Sequence, residues 1–431
     1  MNSVTSRGTD QGRLVPELFG AFALFVAVNI FLALTQPQID VNAGLGWDGV
    51  QYATVARQLA EGQQPSAEAP FVYRIGTPLL AVLIAPNDVV SGFRIANLAG
   101  NALTVLLLVV WFRHHVLDLR IRFAVLLAFM LAWHGPIRFF WFYPVASEHL
   151  AFAANVAVLV AGQRLRDRLS LGLVGVVALV AFAGTLVRET ALLAPAVLPL
   201  ARLRGLRPGR ETALLLIPLV AGLLAFGFSH RVGSQTNSYS YLAAIVDWFR
   251  EKSVFVYVLG WLNAYGPLLV LPFVSWRASL SFLRTNPMAT AFLLAATVLG
   301  WIGGQDTERY VYWAAPVVYV LAGRALIAIS ASAPAAVLAG LGFLQIVSER
   351  VGMAIPQPRV VDPLTLPPER GLGNVAYLLT PFGDPQYFDL WSFWMPRLAK
   401  AILLVEYAVC AIVLFALLTR ARAGVSPARR Q

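Results

Sequence analysis

The chain is a series of apolar runs long enough to cross a bilayer, beginning with 14–35, joined by short segments in which the arginines collect. About twenty apolar residues in a helix match the hydrocarbon thickness of a membrane. The chain of 431 residues is 58% hydrophobic and only 13% charged, with a mean hydropathy of +0.69. Soluble domains carry about a quarter charged residues, and one globular core cannot absorb such an apolar excess. Soluble enzymes, disordered chains and collagen-like fibres are therefore excluded. The expected fold class is an all-α integral membrane protein.

Apolar windows predict about twelve spans, near 14–35, 91–112, 121–138, 144–163, 171–187, 190–203, 212–229, 253–275, 287–304, 310–329, 333–348 and 398–419. The first is longer than the apolar core of a signal peptide and reads as an uncleaved span. The net charge of +11 raises nucleic acid as a partner, but the pattern argues against it. All but two of the basic residues are arginine, and they sit in clusters between spans. Such clustering is how membrane orientation is encoded. With both termini in the cytoplasm, one side collects Arg7, Arg13, Arg113, Arg120, Arg122, Arg164, Arg166, Arg168, Arg202, Arg204, Arg207, Arg210, Arg277, Arg284, Arg324 and the C-terminal arginines. N-in/C-in is the expected topology. The single Cys410 forms no internal disulfide, and the chain lacks an N-x-[ST] acceptor, which points to a bacterial inner membrane.

No period or low-complexity linker divides 1–431, which reads as a single membrane domain. Three outer segments are long: 36–90, 230–252 and 349–397. The first carries a helical pattern from Gly49 to Glu61 and a short apolar stretch from Ile75 to Ala85, two helices expected to lie along the membrane surface.

Ionisable groups at the edges of apolar helices are costly and mark candidate sites. Five clusters fall on the outer side by alternation. Trp47-Asp48 precedes the first surface helix; the carboxylate is placed to accept a proton from a hydroxyl or to cap that helix. Arg74, next to Tyr73, is either a phosphate ligand or an interfacial snorkelling residue. Glu148, at the outer start of a span, is either a second carboxylate, orienting an acceptor or holding a divalent metal, or a first-turn acid favoured by the helix dipole. Arg188-Glu189-Thr190 is either an anion site or a mutually neutralising pair. Gly303-Gly304-Gln305-Asp306-Thr307-Glu308-Arg309-Tyr310 is either a glycine-lined ligand loop or a solvated turn with a local ion pair. Tyr52 lies close behind Asp48 in the first cluster. There is no Walker A, no G-x-G-x-x-G and no H-E-x-x-H.

Together these clusters resemble the layout of GT-C superfamily membrane glycosyltransferases, the group that includes protein O-mannosyltransferases and aminoarabinose transferases. The resemblance runs over about residues 40 to 320, within a GT-C-like core at 14–320; 321–431 matches only as variable C-terminal helices. It implies a bundle of about twelve transmembrane helices with a catalytic outer loop at 36–90. It implies a polyprenyl-phosphate sugar as donor and a lipid, glycan or protein as acceptor, with inverting transfer at the periplasmic face. Asp48 would then be the general base and Glu148 the second acid of the cavity. Arg74, Arg188 and Arg309 would hold the donor phosphate, while Trp47, Tyr52, Glu189, Asp306 and Tyr310 line the acceptor cavity. No cofactor is assigned beyond a divalent metal, which stays open. Two departures stand out: Asp48 is followed by Gly49, where many members carry an acidic pair, and Arg188 replaces a lysine.

Two rivals share parts of this pattern. A lipid-linked glycan flippase needs polar residues at mid-span and two related halves, whereas here the ionisable groups crowd one face. An O-antigen ligase or polymerase depends on a dominant outer loop with Arg and His; segment 349–397 is proline-rich and has no His. That segment, with Asp384, Tyr387 and Asp389, is expected to cover the acceptor cleft.

Overall fold

The computed structural model describes residues 14–202, 209–330, 333–355 and 397–423. Segment 356–396, with Asp384, Tyr387 and Asp389, lies outside the described residues, as do Arg7, Arg13, Arg204 and Arg207. The architecture is all-α. Among the described residues the only strands are two-residue β1 (Ser66–Ala67) and β2 (Ser234–Gln235), paired in parallel and tying segment 36–90 to segment 230–252.

The helices in chain order are α1 (Leu14–Thr35), α2 (Gly49–Ala60), α3 (Gly76–Ile84), α4 (Val89–His115), α5 (Leu119–Leu131), α6 (Pro136–Phe142), α7 (Glu148–Asp167) and α8 (Leu171–Val187). They continue with α9 (Ile217–Val232), α10 (Tyr241–Glu251), α11 (Val254–Tyr265), α12 (Trp276–Thr285), α13 (Pro287–Ile302), α14 (Ala315–Ser330), α15 (Ala335–Ser348) and α16 (Arg397–Ala423). Shorter helical turns join several of these. Helices cover both stretches of 36–90 in which two were expected, as α2 and α3.

Among the described residues, six helical stretches are long and apolar enough to cross a membrane: Leu14–Thr35, Val89–His115, Leu119–Phe142, Arg210–Val232, Val254–Val274 and Thr307–Ser330. A seventh results if α12 and α13, which meet at a bend of 108°, cross as one broken span. The chain is thus a multi-pass membrane protein; six or seven of the twelve expected spans meet this length and composition among the described residues. Stretch 190–203 is a chain of short turns, Glu189–Leu192, Leu193–Val197 and Leu198–Arg202, interrupted by Pro195 and Pro199, which cannot donate to a continuous helix. Leu171–Val187 and Ala335–Ser348 are apolar but shorter. Helix α7 owes its burial to protein rather than lipid: Ala151, Phe152, Asn155, Val156 and Leu159 are enclosed by neighbours, and α4 packs along it.

The two ends of the bundle differ in chemistry. At one end Glu17 of α1 accepts from Arg122 at 2.9 Å and lies 3.4 Å from Arg113, Arg324 donates to the His115 carbonyl at 3.2 Å, and Arg202 donates to the Leu165 carbonyl at 2.9 Å. Arg324 and Arg202 use carbonyls at helix C-termini, where the backbone dipole favours cations. The opposite end, where α1 and α8 finish and α4 and α7 begin, holds the acids and arginines described next.

Candidate functional site

Two close approaches build the site. Gly46, at φ +71°, lies under the Tyr143 ring; a Cβ there would come within 2.2 Å of it. The adjoining Trp47–Gly49 turn docks on the end of α6, with Gly49 N donating to Tyr143 Oη at 2.6 Å. Trp47 sets its ring edge-on to Tyr143, at 5.7 Å, and stays 38% exposed. At Gly76 a Cβ would meet backbone of Leu186 and Val187 at 2.9 and 2.8 Å, so α3 begins in direct contact with the end of α8. That contact delivers Arg74 to Glu189.

Asp48 immediately precedes α2, yet its side chain makes no capping bond, and its own backbone is already helical at φ −63°, ψ −24°. The capping role is therefore not taken up. Among the described residues its carboxylate has no hydrogen-bond or ion-pair partner, and it is only partly buried.

Arg74 is 4% exposed, so it does not snorkel. Its Nε and Nη2 donate to the two oxygens of Glu189 at 2.9 and 2.5 Å, and Nη1 donates to Tyr52 Oη at 2.8 Å. Tyr52 in turn accepts from Ser147 Oγ at 2.9 Å. Burial works to strip the Arg74 charge, but the Glu189 carboxylate more than offsets it and holds the guanidinium pKa well above its ordinary value.

Arg188 and Glu189 do not neutralise one another. Arg188 Nη1 turns to Glu148 Oε1, which also accepts from Arg309 Nη2. Two guanidinium groups thus converge on one carboxylate oxygen. Glu148 Oε2 accepts from Ser147 N at 3.2 Å. Arg188 is 4% exposed, and among the described residues its Nε–H has no acceptor. Arg309 makes the expected local pair with Asp306, Nη1 to Oδ2 at 2.6 Å, in addition to reaching Glu148. The Tyr310 ring lies 5.9 Å from the Arg188 guanidinium and the Phe139 ring 5.5 Å from that of Arg309.

Burial, reinforced by facing Asp48 and Glu308, pushes the Asp306 carboxyl up to about 8; Arg188 and Lys252 oppose the shift. A carboxyl whose folded pKa lies above its unfolded value of about 3.9 binds its proton more tightly when folded. Its stabilisation is complete below the unfolded pKa and is lost as pH rises toward 8. Melting temperatures measured at pH 5 and pH 9 should therefore show Asp306→Asn gaining on wild type at the higher pH. A constant difference between the two would remove the shift.

Sequence reasoning missed Lys252. This residue is 3% exposed and donates to the carbonyls of Gly300 and Gly304 at 2.8 and 2.6 Å, closing the C-terminus of α13 beside the Asp306 loop. Its one signal was rarity: Lys252 and Lys400 are the only lysines in the chain. Tyr143, which holds Asp48's turn through Gly49 N, and Ser147, which links Tyr52 to Glu148, were not singled out from the sequence. Glu308, fully buried, accepts from Asn263 Nδ2 at 3.3 Å and extends the polar region inward. Among the described residues no group of three or more His, Cys, Asp or Glu is arranged to hold a metal ion.

The residues singled out as Asp48, Arg74, Glu148, Arg188, Glu189, Asp306, Arg309 and Tyr310 thus come from five separate segments to one end of the bundle, with Trp47 and Tyr52 among them. Among the described residues the arrangement offers a partly buried carboxylate without a partner, an arginine, Arg188, whose Nε–H is unmet, and an exposed aromatic ring. Such a set can hold an anion and take a proton from a neighbouring hydroxyl. No known protein family matches the chain, and no curated protein matches its sequence.

Proposed function

We propose that the protein is an inverting glycosyltransferase of GT-C type that moves a sugar from a polyprenyl-phosphate donor to a hydroxyl acceptor at the outer face of a bacterial inner membrane. The observation that carries this reading is the sharing of Glu148 Oε1 by Arg188 and Arg309, with Arg188 Nε–H buried and without an acceptor among the described residues. Buried donors of this kind are costly unless met, and a phosphate monoanion or dianion presents the several oxygens that would meet them. The apolar exterior beside the site suits the isoprenoid tail that such a donor carries. The arginine-rich end opposite the site supports N-in/C-in orientation, which puts the site outside the cytoplasm.

In this mechanism Asp48 accepts the proton of the acceptor hydroxyl as its oxygen attacks the anomeric carbon. The bond from that carbon to the phosphate oxygen breaks, and the polyprenyl phosphate departs with the bonding pair. Arg188 and Arg309 stabilise the charge that develops on the leaving oxygen. Glu148 acts by orienting both arginines. Arg74, held by Glu189 and Tyr52 through three of its five N–H donors, shapes the cavity wall where the first outer segment meets α8.

Purified protein incubated with a panel of radiolabelled polyprenyl-phosphate sugars and a crude membrane extract should transfer label from one donor. Arg188→Gln should weaken binding of that donor about tenfold or more, the loss expected for a charge-assisted contact. Donor bound but never consumed, across the whole panel, would replace this reading with transport of the lipid-linked sugar.

A further inference from the structure

We propose that α10 is an interfacial helix whose apolar face is seated in the acyl-chain boundary of the bilayer beside the site. The inference is independent of the reaction proposed above. At 3.6 residues per turn, α10 divides into three faces. Tyr241, Ala244 and Trp248 lie along one line and are the half-buried positions of the helix. Leu242, Ile245, Val246 and Phe249 follow the i, i+3, i+4, i+7 spacing and are 72, 39, 37 and 62% exposed. Asp247 and Glu251 occupy the third face, also exposed. No residue of α10 is fully buried.

A soluble helix with this pattern would bury the apolar line in its own core. Here the half-buried line is a different one, so the protein takes one face and leaves the four large apolar side chains outward. The occupant is lipid because the patch continues a surface that already faces lipid. Helix α9, which leads into α10, exposes Val220, Leu224 and Phe228, and α11, which follows it, exposes Val254, Phe255 and Val258. The Phe249 ring also lies 6.4 Å from Trp301, near the end of α13, the level at which amphipathic indole rings collect in membrane proteins.

Both ends of α10 are tied to the site. Before it, Asn237 Oδ1 accepts from Ala69 N at 2.8 Å, and the Tyr241 ring lies 6.0 Å from His230, which stacks on Tyr73 beside Arg74. After it, Lys252 holds the Gly300 and Gly304 carbonyls. The helix therefore joins the Arg74 side of the cluster to the Asp306 side along the membrane surface.

The test is nitroxide accessibility in full-length protein reconstituted into phosphatidylcholine vesicles. Single cysteines would be placed at Leu242, Ile245, Asp247 and Glu251 in a Cys410→Ala background, each variant checked for an unchanged elution profile. Collision with oxygen, which partitions into lipid, is compared with collision with a water-soluble nickel chelate. A face buried about 5–10 Å into the acyl boundary should raise the oxygen-to-nickel ratio at 242 and 245 about threefold or more over 247 and 251. Equal ratios with strong nickel relaxation would mean the face stands in water, and weak relaxation by both probes would mean a protein segment covers it. Either result overturns the proposal.

Discussion

Glu148→Gln should be the most destabilising single substitution in the cluster of Arg74, Glu148, Arg188, Glu189, Asp306 and Arg309. Glutamine keeps the shape and one carbonyl oxygen but removes the charge that serves both Arg188 and Arg309. It also points an NH₂ group toward guanidinium donors. Removing one partner of a buried ion pair leaves uncompensated charge and costs about 3–5 kcal/mol. Glu148 is 14% exposed and Arg188 4%, so the lower end of that range, about 3 kcal/mol, is expected. Thermal or denaturant unfolding of purified protein in detergent would measure it. Adding Arg188→Gln to Glu148→Gln should recover part of the loss, because one of the stranded cations is gone. The coupling expected for side chains in direct contact is about 1–3 kcal/mol. Strict additivity of the two substitutions would mean that the pair does not stabilise the fold.

That prediction was beyond reach of the sequence, and the reason is geometric. Alternation of apolar runs assigns each polar cluster to an end of the bundle, because a helix of membrane length reverses the side of the chain at every crossing. Arg74, Glu148, Arg188 and Asp306 to Tyr310 could therefore be put on one end without knowing which helices touch. Pairing is another matter. Arg74 finds Glu189 at a separation of 115 residues, and Arg309 finds Glu148 at 161. Such partners depend on how α3 abuts α8 and how the 303–310 loop folds over α7. Neighbours in sequence mislead here: Arg188 and Glu189 lie side by side, yet each bonds elsewhere.

The number of spans was blurred for a related reason. An apolar window reports burial without saying whether lipid or protein supplies it. Helix α7 and the broken turns at 189–202 are apolar because neighbouring helices enclose them. Helices α2 and α3, by contrast, were legible from length and periodicity, since neither is long enough to cross. Helix α10 was hidden in a segment assigned only as an outer loop, although its apolar line at 242, 245, 246 and 249 has the spacing of a surface helix.

Asp48→Asn should separate chemistry from folding. The carboxylate makes no capping bond and no ion pair among the described residues, so its loss removes neither. Asparagine is also nearly isosteric. Stability should therefore change by no more than about 0.5 kcal/mol, the range of substitutions away from packed or bonded positions. If Asp48 takes the acceptor proton, the same change should lower transfer about 10²–10⁴-fold, because the amide cannot act as a base. Donor binding should persist, since the arginines that would hold the phosphate lie on other segments. Three measurements on one preparation decide the matter: unfolding temperature, donor-lipid affinity and initial rate of transfer. Unchanged folding and affinity with lost transfer identify Asp48 as the base. A fall in unfolding temperature would instead show that Asp48 stabilises the turn before α2, and full retention of transfer would move the base to another carboxylate of the cluster, such as Asp306, whose proton affinity the Asp48 charge raises.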